Sequence, residues 1–313
     1  MRIAVFGVGG VGGYFGGRLA QAGEEVVFIA RGAHLRALQD CGLRVDSVLG
    51  DFVVQPVQAT DDPTHVGIVD AILVGVKAWQ VPEITDAIRP LIGPATYVVP
   101  LQNGVEAPGQ FAAVFGASHV VGGLCGLVSF IVAPGHIRHA AAEPFVQFGE
   151  LDNRPSVRIE HLQQAFLRAG VTVMTPTDIQ SALWMKFLWI TPCSGIGALT
   201  RAPIGIWRSV PEIRRMSEQA MHEVLAVAHA RGIALPADAL RTNLALLDSV
   251  AAEATVSMQR DVMAGRPSEL DAQIGAVVRL GQEVGIATPL HAWIYGSLLP
   301  LELRARGQLQ FPG

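Results

Sequence analysis

The most explicit chemical pattern in the chain is Gly7-Val8-Gly9-Gly10-Val11-Gly12, a G-x-G-x-x-G set directly after the apolar run IAVF (3–6). In such a pattern the first glycine allows a tight turn and the second lets backbone approach a pyrophosphate. The third lets helix and strand pack closely, and the helix N-terminus faces the anion. Without flanking elements the six residues would be only a glycine-rich turn. Strand before and helix after are both written here, so Gly7, Val8, Gly9, Gly10, Val11 and Gly12 are expected to bind a dinucleotide. Arg31 closes the next β-branched run, VVFIA (26–30), at the place where an acid would bind the ribose of NAD. A guanidinium there fits a 2′-phosphate and favours NADP(H), the alternative being a solvated surface arginine.

Other side chains stand where chemistry is possible but not yet specified. Lys77 and Asn103 lie just past AILVGV (71–76) and TYVV (96–99), at the carboxyl edge where open parallel sheets bind ligands. A solvated lysine and an Asn-Gly turn remain open for them. Lys186 is the only charge in LWMKFLWITPCSGIGALT (183–200). It either snorkels to solvent or sits in a polar cleft where its ammonium meets a ligand. Glu269 follows Ser268 at the start of a helix expected to run to Gly285, where an acid also suits the helix dipole. His136 and His139 have H-x-x-H spacing but lie in a strand-like segment without further ligands nearby, so they read as structural and no metal is expected. Trp184, Met185 and Trp189 read as packing residues.

The elements that must position these groups differ between the two halves. Up to about residue 130, short β-branched runs, including HVVGG (119–123), alternate with helix-like stretches, the pattern of a parallel α/β sheet. Segment 136–150 then resembles a strand pair, and VRIEHLQQAFLRAG (157–170) a helix closed by Gly170. Beyond Thr177 the period becomes helical, as in Met221, Val224, Leu225 and Ala228 or Leu240, Leu244 and Leu247. Gly232 and Gly285 sit at helix C-caps, and Thr288-Pro289 opens a last helix toward Leu303. The expected fold is an α/β Rossmann-type dinucleotide-binding domain (1–174) followed by an all-helical domain (175–313), with a cleft between domains as the default site.

Composition narrows the function classes. With 23 Lys+Arg against 27 Asp+Glu there is no basic excess to neutralise a nucleic acid. The uncharged stretch from Val120 to Ile137 is broken by Gly122, Gly123, Gly126 and Pro134, so it reads as buried strand and turn rather than membrane span. The apolar run after Met1 is too short for a signal peptide, and three scattered cysteines imply neither disulfides nor zinc, so a cytoplasmic protein is expected.

Taken in order, GVGGVGG, Arg31, VKAWQ (76–80), LQNG (101–104), WMKF (184–187) and SMQRDVMAGRPSELD (257–271) resemble the ketopantoate reductase family over nearly the whole chain. That resemblance implies NADPH-dependent reduction of 2-dehydropantoate to pantoate, a step of pantothenate biosynthesis. By the same resemblance Lys186 is the general acid, and Lys77 and Asn103 serve both cofactor and substrate. Ser257 and Glu269 would contact substrate, Glu269 orienting the ketone. One departure stands out. Family members commonly place asparagines four and eight residues after the lysine, and here those positions are Ile190 and Ser194. Ser194 could replace part of the polar capacity and Ile190 none, so a less polar 2-oxo acid is the alternative substrate. A non-catalytic NADP(H)-sensing regulator is the alternative in another class. The expected partner is a small 2-oxo acid, with no nucleic acid or membrane, and the reading leans to a homodimer.

Overall fold

The computed structural model describes residues 1–311. Contacts divide the chain into one unit of Met1–Gln102 and Ala107–Ile179, and a second of Asn103–Glu106 and Gln180 onward. Where the sequence suggested contiguous segments 1–174 and 175–313, the chain changes unit in the first turn of a helix and lends four residues after Gln102 to the second unit.

The first unit runs β1 (Arg2–Phe6), α1 (Gly10–Gln21), β2 (Glu25–Ile29), α2 (Gly32–Cys41), β3 (Leu43–Ser47), β4 (Phe52–Val54), β5 (Gln58–Thr60), β6 (Ala71–Val74), α3 (Val81–Ile88), β7 (Tyr97–Pro100), α4 (Ala107–Phe115), β8 (Val121–Ala133), β9 (His136–Glu150), α5 (Val157–Arg168) and β10 (Thr172–Met174). A parallel sheet of order β5-β2-β1-β6-β7 forms its centre. Both faces of that sheet are covered, which is why its strands are apolar throughout rather than alternating. Ile3, Val5, Leu73 and Val99 enter the core on one face, and Ala4, Phe6, Ile72 and Val74 the core on the other.

The HVVGG run does not become a further strand of this sheet. It touches β7 through the single bridge Val98↔Val120, and from Val121 the chain enters a second sheet of order β10-β9-β3-β4, with β8 antiparallel to β9. Nor is segment 136–150 a strand pair. It is the single strand β9, hairpinned to β8 across Pro134 and Gly135 (φ +71°). Pro144, which has no N–H, falls where the β8–β9 register shifts between Gly126 and Val128. Helix α1 packs on both sheets. A Cβ at Gly16 would meet Phe28 at 2.7 Å in the first, and one at Gly17 would meet Phe52 at 3.0 Å beside the second. Close approach explains a helix built from poor helix formers. Helix α5 starts on Ser156, whose hydroxyl caps the N–H of Ile159, and Gly170 (φ +68°) ends it.

The second unit is helical: α6 (Ile179–Thr200), α7 (Ile204–Ser209), α8 (Pro211–Ala230), α9 (Ala239–Ser249), α10 (Ser257–Met263), a π-helical turn at Asp271–Gly275, α11 (Ala276–Glu283) and α12 (Pro289–Ala305). Its core gathers Trp184, Phe187, Leu188, Met221, Val224, Leu247, Ile294 and Leu298. Helix α6 is long and apolar enough to cross a membrane by composition, but 72% of its apolar window is buried inside the protein. Gly232 (φ +76°) and Gly285 (φ +72°) follow the ends of α8 and α11. Thr288 occupies the N-cap position of α12 but its side chain makes no capping bond. Glu223 of α8 caps the helix instead, accepting the N–H groups of Leu290 at 2.8 Å and His291 at 3.0 Å. Its carboxylate also accepts the His291 Nδ1–H at 2.7 Å.

Candidate active site

In the first unit the β1–α1 turn is shaped at its backbone. Gly7 takes φ +91°, and its N–H donates to the Ile29 carbonyl at 3.1 Å, fixing the turn to β2. A Cβ on Gly7 would meet Val76 Cγ1 at 2.6 Å. Gly9, the N-cap of α1, has φ −82° and no side chain to cap the helix, and a Cβ placed there would meet nothing within 4 Å. Gly12 sits so close to the Gly7 carbonyl oxygen that a Cβ would collide with it, and Gly10 is packed in the same way against the Ser129 carbonyl. Val8 is buried, Val11 half-buried, and the first turn of α1 holds no acid. The result is a helix N-terminus with no side-chain cap and free space at the Cβ position of its N-cap glycine, which suits the backbone approach of a pyrophosphate.

Arg31 is exposed and is the N-cap of α2, one strand over from that turn. Lys77 is half-buried and precedes a short 3-10 turn, its N–H donating to Gln80 Oε1 at 3.1 Å. Buried Gln102 steadies the segment before it by donating to the carbonyls of Val74 at 2.9 Å and Val76 at 3.2 Å. Gln102 escaped sequence reasoning even though it lies inside LQNG. His136 pairs with Asp46 at 2.8 Å and His139 bonds the Ser47 hydroxyl at 2.9 Å, so both are engaged in the second sheet.

In the second unit Asn103 and Glu269, 166 residues apart, are joined: Asn103 Nδ2 donates to Glu269 Oε2 at 3.1 Å. Glu269 is only 4% exposed, and Gln273 Nε2 approaches the same oxygen at 3.5 Å. The helix expected from Ser268 therefore opens differently. Glu269 precedes it, its first turn is π-helical, and Gln273, four residues on, approaches the carboxylate. Three contacts dock the Asn103 loop on this segment. Besides the Asn103 bond, Gly104 (φ +102°) lies where a Cβ would come within 2.7 Å of the Ala272 carbonyl, and Glu106 pairs with Arg279 at 2.9 Å. Arg279 also holds Asp271 at 2.8 Å, and Tyr295 donates its hydroxyl to Asp271 at 3.1 Å.

Lys186 is half-buried, two turns into α6, and Ser257 is half-buried as the first residue of α10. Small residues bring α6 close to both neighbouring segments. A Cβ at Gly195 would meet Ile274 Cδ1 at 3.0 Å, and one at Gly197 would meet Gln259 Oε1 at 2.7 Å. Ser194 is different from the other candidates: it has no exposed surface, and its hydroxyl has no hydrogen-bond partner among the described residues. Ile190 is 7% exposed. Gln273, one helical turn from Glu269, could have been found from spacing alone.

The candidate residues thus fall into two groups. The glycine turn, Arg31 and Lys77 belong to the first unit, and Asn103, Lys186, Ser194, Ser257 and Glu269 to the second. The family described as ketopantoate reductase PanE/ApbA matches residues 3–153, and its C-terminal counterpart matches residues 178–302. The 2-dehydropantoate 2-reductase of Mesorhizobium japonicum is 31% identical over 310 residues, covering 92% of this chain and 94% of its own. That of a Nostoc species is 30% identical over 318 residues and covers 98% of both chains. A crystal structure of the 2-dehydropantoate 2-reductase from Geobacter metallireducens has 32% identity and a TM-score of 0.89, covering 97% of this chain and 100% of that one. With each unit matched by its own part of the family and relatives aligned almost end to end, the chain belongs to the ketopantoate reductase family and is an oxidoreductase.

Proposed function

We propose that the protein is an NADPH-dependent reductase of 2-oxo acids and that 2-dehydropantoate, reduced to pantoate, is its first-ranked substrate. The observation that carries this reading is the Asn103–Glu269 bond, which joins two residues the family resemblance had assigned separately to one substrate. Gly7, Val8, Gly9, Gly10, Val11 and Gly12 would hold the pyrophosphate, Arg31 the 2′-phosphate, and Lys77 and Asn103 the nicotinamide side of the cofactor. When bound, the reduced nicotinamide cofactor would supply the hydride. Reduction of a ketone builds negative charge on its oxygen, and the Lys186 ammonium hydrogen-bonds that oxygen, stabilises the charge and donates the proton. Glu269 accepts a hydrogen bond from a substrate hydroxyl and, with Ser257, fixes the direction in which the carbonyl points. Buried between two amide donors, Glu269 is restricted in rotamer, which an orienting group requires.

A second reading of the substrate rests on Ile190 and Ser194. The first carries no polar group and the second is fully buried, so neither offers an amide to a hydroxylated chain. Both facts favour a less polar 2-oxo acid at the same site. In either case the protein works in the cytoplasm, and its helical unit is the expected dimerisation surface.

Two measurements test this reading. Titration with NADPH and NADH should give a much lower Kd for NADPH, and Arg31→Ala should weaken NADPH at least about tenfold while leaving NADH nearly unchanged. Equal affinities in the unmodified protein would remove NADP specificity. NADPH oxidation over a panel of 2-oxo acids, with and without a hydroxyl on the chain, ranks the substrates. A preference for an unhydroxylated acid by orders of magnitude would establish the second reading.

A further inference from the structure

Glu269 must present its carboxylate from the end of a loop, and its own carbonyl ties the backbone only forward, accepting the Gln273 N–H at 3.0 Å. The loop turns back after α10 through Gly265 (φ +64°). Ser268, the residue before Glu269, has no exposed surface, so its N–H and hydroxyl need partners inside the protein. Both reach the same one. The carboxylate of Glu302 on α12 accepts the Ser268 N–H at 3.0 and 3.1 Å and the Ser268 hydroxyl at 2.6 Å. The Ser268 oxygen in turn accepts the Leu270 N–H at 3.2 Å. The backbone on both sides of Glu269 therefore ends, directly or through one hydroxyl, on a single carboxylate.

That carboxylate is itself secured. Glu302 is 5% exposed, and Arg306, the C-cap residue just past α12, donates to it from Nε at 2.7 Å and from a second nitrogen at 2.6 Å. The same guanidinium donates to the Ser268 carbonyl at 3.1 Å. An ion pair whose carboxylate is buried is a poor device for stability alone, since apolar packing of equal volume does as well or better. This one spends its bonds on every backbone polar group of the residue that precedes Glu269.

We propose that Glu302, held by Arg306, is the positioning residue for Glu269 and sets how accurately a 2-oxo acid is oriented. The proposal rests on the reading of Glu269 as the group that orients substrate. Glu302→Gln keeps size and one acceptor oxygen but loses the charge that binds Arg306. With the best 2-oxo acid of the unmodified enzyme, it should raise KM about tenfold, lower kcat less, and leave the NADPH Kd unchanged. Combination with Glu269→Gln is the decisive measurement, because a residue acting through Glu269 adds nothing once that carboxylate is gone. The double variant should have the KM of Glu269→Gln alone. Multiplying effects would overturn the proposal, showing a general structural role. Should Glu302→Gln fail to fold, Arg306→Lys, which keeps the charge and loses the fork, should show a smaller KM rise with the same lack of additivity. If Glu269→Gln raises KM while Glu302→Gln and Arg306→Lys do not, the positioning role alone falls. If Glu269→Gln leaves KM unchanged, the substrate role of Glu269 falls and takes this proposal with it.

Discussion

Two glycines of the β1–α1 turn separate ligand binding from packing, and alanine substitution at each should give opposite results. At Gly9 the backbone has φ −82°, which alanine adopts freely, and the added methyl would meet no protein atom within 4 Å. Stability should change by no more than about 0.5 kcal/mol, or rise slightly through the smaller entropy of the unfolded chain. Because Gly9 is the N-cap of α1, a methyl there would crowd a pyrophosphate on that helix end, so NADPH should bind at least about tenfold more weakly, a loss of about 1.4 kcal/mol. At Gly12 the methyl would overlap the Gly7 carbonyl oxygen and reach 3.0 Å from Val5 Cγ1. Relief requires helix and turn to separate by about 1 Å, which forfeits packing along α1 and costs about 1–3 kcal/mol. At roughly 2–4 °C per kcal/mol for a chain of this size class, Tm should fall by about 2–12 °C before any ligand is added. Differential scanning fluorimetry of the ligand-free variants gives the first quantity and titration of NADPH fluorescence the second. A Gly9→Ala protein that binds NADPH normally would place the pyrophosphate elsewhere, and a Gly12→Ala protein as stable as the parent would remove the packing role of Gly12.

Lys186→Ala should lower kcat about 10²- to 10⁴-fold with NADPH affinity nearly intact, and steady-state kinetics with near-normal turnover would remove Lys186 from proton transfer. Burial opposes ionisation of Glu223, but hydrogen bonds from the His291 ring and from the Leu290 and His291 N–H groups outweigh it and hold the carboxyl below its usual range. Because the folded value is the lower one, this contribution is complete above the unfolded carboxylate value near pH 4.3 and is lost as pH falls through the folded value. Glu223→Gln should therefore lower Tm at pH 7 and flatten its decline below about pH 4.5. A variant whose Tm falls with acid as steeply as the parent's would contradict that assignment.

What could be read from the sequence follows from how local each signal is. The glycine turn was legible because its geometric demands fall on neighbouring residues, and Gly7 and Gly12 meet those demands within one turn of chain. Strands β1, β2, β6 and β7 were legible because burial on two faces makes them continuously apolar. The second sheet was not. β4 and β10 are three residues long, β3 alternates burial, and they are held by pairing, directly or through one another, with β9, which lies far away in sequence. The same limit applies to the candidate site. Residue type marked Lys186 and Glu269, while the loop that delivers Asn103 to Glu269 and the Glu302 clamp 34 residues from Ser268 depend on tertiary placement. Thr288 shows a further case, since a favourable capping residue yielded to Glu223 of another helix.

Hydride transfer from the nicotinamide to the carbonyl carbon of a 2-oxo acid can be followed by isotope. The purified protein would be incubated with 2-dehydropantoate and, separately, with unhydroxylated 2-oxo acids, using NADPH deuterated at both C4 positions, and the products read by mass spectrometry. The product should be a 2-hydroxy acid carrying one deuterium on the carbon that bears the new hydroxyl. A product whose new C–H hydrogen comes from solvent, or no product from any 2-oxo acid, would rule out hydride transfer from NADPH to a 2-oxo acid.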